Sequence, residues 1–149
     1  LGCVRKAGGV GGCGAWCMVP GSAGVKPGEA VGVCAEKGIK SGFIKVRSLR
    51  PFPTQELRQL LGKTTLIVVP EFNYVGWLAK EVATAIYRYS HAKIIGGPRV
   101  YGGQSMPVDL IVDEVESGLT GKKSTNVAMS SIMGGVVNQD DVAHFMRSI

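Results

Sequence analysis

The pentapeptide Thr65-Leu66-Ile67-Val68-Val69 constrains this chain more than any other stretch. It is wholly apolar after its first residue and rich in β-branched side chains, so it suits a strand and not a half-exposed surface. An antiparallel strand with one wet face would alternate polar with apolar, whereas continuous apolarity requires cover on both faces, as helices give a parallel sheet. Pro70 then removes a backbone donor and stops the strand. One buried strand at 65–69 therefore implies layers of helix above and below it.

The flanking sequence supplies those helices. Residues 15–19 (AWCMV) form a short apolar run ended by Pro20 and Gly21, residues 22–28 a small-residue loop, and residues 29–37 a helix with Ala30, Val33 and Cys34 on one face and Gly38 closing it. A second strand is expected at 42–46. At 54–61 Thr54 is placed to cap a helix whose inner stripe is Leu57, Leu60 and Leu61, with Gly62 ending it. Beyond the central strand, 77–89 repeats Leu78, Val82, Ala85, Ile86 and Tyr89 at helical spacing, 92–95 is strand-like, and 108–119 sets Leu110, Ile111, Val115 and Leu119 inward. Strand and helix alternate throughout. The fold class expected is α/β, a three-layer α/β/α sandwich on a mostly parallel sheet of about five strands.

Residues 1–14 are expected to be an irregular, glycine-rich end, because Gly8, Gly9, Gly11, Gly12 and Gly14 leave backbone entropy high. Gly9, Gly11 and Gly14 satisfy G-x-G-x-x-G, but no apolar strand precedes them as a dinucleotide fingerprint requires. Residues 120–149 are expected to be a linker followed by a short helix that Asn138 caps, with Asp140 and Asp141 in its first turn. The domain proper is thus 15–119. Starting on Leu1, the chain is expected to be a fragment of a longer protein.

Charge and cysteine usage narrow the function. Lys plus Arg number 17 against 11 Asp plus Glu, a net charge of +6. The cations are scattered, adjacent only at Arg5-Lys6 and Lys122-Lys123, and aromatics are 7% of the chain, which argues against a clustered footprint for nucleic acid. Cys3, Cys13, Cys17 and Cys34 lack the C-x-x-C pairing that lets two thiolates reach one ion, so no metal or cluster site is expected. No apolar run approaches the ~20 residues of a bilayer span, no signal-peptide core is present, and the expected compartment is cytoplasmic. His91 and His144 stand outside any catalytic constellation and are assigned surface roles.

Three segments carry a family resemblance. GIKSGFIKVRSLRPFPTQELRQLL (residues 38–61) has a strand, a basic residue and a Pro-Phe-Pro corner, Arg50 to Pro53, leading into a helix. In it, Pro51 and Pro53 hold the chain extended while Phe52 anchors it. VVPEFNYVGWLAKEV (68–82) has a strand, an acid, an Asn and a small loop before an amphipathic helix, and IIGGPRVYGGQSMPVDLIVDEVE (94–116) has a strand, an Arg- and Gly-containing loop and a closing helix. Trp16 and the Gly21 to Gly24 segment echo a further family feature. Together they resemble the transketolase carboxyl-terminal domain, most closely that of the α subunits of 2-oxoacid:acceptor (ferredoxin) oxidoreductases, over about residues 15–119. Gly76-Trp77 stands where that family commonly has Gly-Gln.

The resemblance implies a domain of an enzyme that decarboxylates a 2-oxoacid on thiamin diphosphate and magnesium, passes electrons through iron–sulfur clusters to ferredoxin and forms an acyl-CoA with coenzyme A. It also implies that those cofactors bind elsewhere, since nothing here resembles the GDG…N metal motif. The fragment is expected to be non-catalytic and to serve assembly with other α-subunit domains and a β subunit carrying thiamin diphosphate. Arg50, Phe52, Glu71, Asn73 and Arg99 are the candidate interface or ligand-edge residues, because they follow strand carboxyl ends, where open α/β sheets present ligand groups. For Glu71, Asn73 and Arg99 a structural alternative is a helix cap by Asn73 and a Glu71–Arg99 pairing across the loops. Two other functions stay open: the equivalent domain of a transketolase or 2-oxoacid dehydrogenase β subunit, and an independent small-molecule or nucleic-acid binding domain.

Overall fold

In the computed structural model, residues 4–7, 14–20, 26–73, 75–100, 105–121 and 135–137 are described. The central pentapeptide contributes strand β4 (Leu66–Val68) between β2 (Ala15–Pro20) and β5 (Lys93–Gly96), with β3 (Ser41–Val46) on the far side of β2. These four are parallel. Side chains alternate across β4 as strand geometry demands. Ile67 and Val69 pack on one face with Trp16, Met18 and Ile44; Leu66 and Val68 pack on the other with Ala15, Cys17 and Ile95.

Each face has a pair of helices. On the Ile67 face lie α2 (Thr54–Leu61) and α3 (Trp77–Ile86), burying Leu57, Leu61, Leu78, Val82 and Ile86. On the Leu66 face lie α1 (Pro27–Glu36) and α4 (Val108–Thr120), burying Ala30, Cys34, Ile111, Val112 and Val115. The approach of α4 is close: a Cβ on Gly118 would meet Leu66 Cδ2 at 2.7 Å. The expected three-layer α/β/α architecture is therefore present. Chain order reverses between β2 and β4, which places the topological switch point, and the carboxyl ends beside it, along one edge of the sheet.

The parallel core has four strands, one fewer than the five expected, and antiparallel strands on both margins bring the sheet to six in the order β1-β3-β2-β4-β5-β6. β1 (Val4–Ala7) pairs with β3, and β6 (Gly135–Val137) pairs with β5. β1 departs from the reading of 1–14 as an irregular end, and β6 is a strand within the 120–149 stretch expected to be a linker and short helix, of which 122–134 lie outside the described residues. The physical reason is that an edge strand is held by the backbone ladder its neighbour offers, a pairing that apolar periodicity in its own sequence need not advertise. The helix expected after Asn138 lies outside the described residues.

Helix boundaries differ where backbone geometry overrides side-chain pattern. α1 begins at Pro27, whose missing N–H suits a first turn, so residues assigned to the loop are helical. At α2 the cap position is Pro53, and Thr54 makes no side-chain cap. α3 ends at Ile86 because Tyr87 turns extended and Arg88 takes a φ of +64°, leaving Tyr89 57% exposed and not inward. Leu119 is likewise exposed, on the last turn before Gly121 closes α4 with a φ of +72°. Among the described residues no helix is long and apolar enough to cross a membrane.

Candidate functional site

Among the described residues, three segments stand at the carboxyl edge of the parallel strands: 47–53 after β3, 70–73 with 75–76 after β4, and 97–100 after β5. The last two zip together beyond their strands. Glu71 N–H donates to Pro98 O at 3.1 Å and Val100 N–H to Glu71 O at 3.0 Å, so the ladder between β4 and β5 is resumed as a parallel bridge of Glu71 with Arg99. This pins the backbone of Glu71, and its side chain turns under the start of α3.

The Glu71 carboxylate is 1% exposed and closes that helix. Its Oε1 accepts from Leu78 N–H and from Asn73 Nδ2, each at 2.8 Å, and its Oε2 from Ala79 N–H at 3.3 Å. Asn73 Oδ1 accepts from Gly76 N–H at 2.7 Å and Trp77 N–H at 3.4 Å. The opening amides of α3, which have no partner within the helix, are thus shared between two side chains, and a negative charge sits at the positive end of the helix dipole. Asn73 takes the capping role expected of it. The carboxylate cap was not legible in the sequence, because Glu71 lies well upstream of the helix and outside the local capping-box spacing.

Arg99 completes this corner. Its Nε donates to Gly96 O at 2.9 Å, and its guanidinium lies flat against Gly76. Gly76 has a φ of +65°, and a Cβ there would stand 2.6 Å from Arg99 Nη2, so both backbone and space require glycine. The link between Glu71 and Arg99 across the loops runs through the paired backbones.

The neighbouring corner, after β3, faces the other way. Arg50 is exposed; Nη1 donates to Leu49 O at 2.7 Å, Nη2 reaches Glu81 Oε1 on α3 at 3.1 Å, and the guanidinium stands 5.1 Å from the centre of the Trp77 ring. Phe52, expected to be a buried anchor, is half-buried against the α2–α3 side of the core, so it anchors the corner with part of its ring still accessible. Leu49 is 38% exposed, and Val75, at the end of the segment after β4 and just before Trp77, is 57% exposed. Sequence reasoning missed Leu49, Val75, Trp77 and Glu81. The Gly-Trp departure at 76–77 was the available signal, since Trp77 supplies the face on which Arg50 stacks.

Cysteine and histidine chemistry stays apart from this edge. Cys17 and Cys34 are free and buried. Burial, reinforced by Cys34, pushes the Cys17 thiol up to about 12. Burial also raises Cys34, with Ser41 opposing it. In both, burial favours the protonated thiol over the thiolate that ligation or attack requires. Among the described residues there is no group of three or more His, Cys, Asp and Glu placed to hold a metal ion. His91 is exposed in the loop before β5, and His144 lies outside the described residues.

A doubly wound α/β domain whose β4–α3 corner is capped from within is the class this geometry defines. Residues 16–111 match the family model described as pyruvate:ferredoxin oxidoreductase core domain II, and the chain belongs to that family. Subunit KorA of a 2-oxoglutarate synthase from Archaeoglobus fulgidus is 48% identical over 48 residues, 32% of this chain and 14% of the relative. Subunit PorA of a pyruvate synthase from Methanosarcina barkeri is 31% identical over 86 residues, 54% of this chain and 21% of the relative. The chain therefore spans about a fifth or less of these curated relatives.

Two solved structures share the fold. A 2-oxoglutarate:ferredoxin oxidoreductase from Magnetococcus marinus superposes with a TM-score of 0.60 at 18% identity, over 78% of this chain and 19% of that one. A split-gene transketolase superposes with a TM-score of 0.58 at 20% identity, over 80% of this chain and 42% of that one. The transketolase alternative shares the architecture, and the family match selects the oxidoreductase.

Proposed function

We propose that this chain is an assembly domain within the α subunit of a 2-oxoacid:ferredoxin oxidoreductase, packing its carboxyl edge against other domains of that subunit and a β subunit. The observation that carries this reading is the division of the edge. Glu71 and Asn73 turn inward to cap α3, while Leu49, Val75 and the Arg50–Trp77 stack are left at the surface, an apolar and aromatic-cationic combination typical of protein contacts.

The whole enzyme on this reading uses thiamin diphosphate with magnesium to decarboxylate the 2-oxoacid, an iron–sulfur cluster and ferredoxin to carry electrons, and coenzyme A to accept the acyl group. The opening of α3 does not fit the diphosphate. At the start of α3, where an anion would dock in such a fold, the amides are already bonded and a buried carboxylate occupies the position. On this reading thiamin diphosphate, its magnesium and the electron-transfer clusters belong to other domains of the enzyme.

The experiment is direct. The purified chain, supplied with pyruvate or 2-oxoglutarate, thiamin diphosphate, magnesium and coenzyme A, is expected to reduce no methyl viologen. Sustained substrate-dependent reduction contradicts the assembly role.

A further inference from the structure

We draw no further inference here: the strongest candidate, the surface patch where α2 and α3 end, with Arg58 stacked 3.7 Å from the centre of the Tyr89 ring and Arg88 5.7 Å from that of Tyr87, carries nothing because its cations are engaged within the chain and nothing in the structure shows what covers it.

Discussion

Two corners share one edge of the sheet and treat polarity in opposite ways. The corner between β4 and α3 holds a carboxylate, a carboxamide and a guanidinium, the groups that would suggest a binding site in a linear reading, yet the acid and the amide are bonded to the opening of α3. The corner between β3 and α2 leaves Leu49 and Arg50 at the surface, with Arg50 lying beside Trp77 and Val75 exposed just before it. Position at the carboxyl end of a strand therefore marks where a residue stands, while hydrogen-bond accounting decides whether it is available.

The largest effect should come from the inward corner. Glu71→Ala leaves the Leu78 and Ala79 amides without their acceptor and is expected to cost about 3–5 kcal/mol in urea unfolding. A loss below about 1 kcal/mol would dissolve the contrast between the corners. Gly76→Ala should cost about 2–4 kcal/mol, from the left-handed backbone and from the Arg99 guanidinium. Adding Arg99→Ala should return part of that loss, and strict additivity of the two changes would show that the guanidinium does not press on this site.

Phe52→Ala sharpens the other side of the comparison. A half-buried ring gives up less than a core phenylalanine, and about 1–3 kcal/mol is expected by chemical denaturation. A larger loss would make the outward corner as integral to the fold as the inward one.

The smallest effect concerns pH and lies away from the edge. Glu114 on α4 is buried, and burial, followed by the charge of Asp113, raises its carboxyl above the ordinary value, with Lys93 opposing. The folded state thus holds this proton more tightly than the unfolded chain does. Its contribution is fully present below the unfolded carboxylate pKa and is lost as pH rises through the folded one. Glu114→Gln should flatten the stability profile across that window and stabilise the domain at neutral pH; an unchanged profile would remove Glu114 as its source.

Much of the fold was legible because burial on both faces writes itself into composition: Leu66 to Val69 announced a covered strand, and Leu57, Leu61, Val82 and Ile86 announced the helices covering one side. The marginal strands were not, since Val4–Ala7 and Gly135–Val137 are held by pairing to β3 and β5. At the site, the sequence placed Arg50, Phe52, Glu71, Asn73 and Arg99 after strand carboxyl ends, where the structure has them, but could not divide them. That division depends on a turn through Gly76 that brings Glu71 beneath amides seven and eight residues ahead of it.

Leu49→Asp combined with Val75→Asp tests the central claim within the complete oxidoreductase. With both side chains exposed, thermal unfolding of the variant domain should stay within about 0.5 kcal/mol of wild type. Recovery of assembled enzyme by size-exclusion chromatography should fall about tenfold or more. Full assembly alongside an intact fold would contradict an assembly role for this edge.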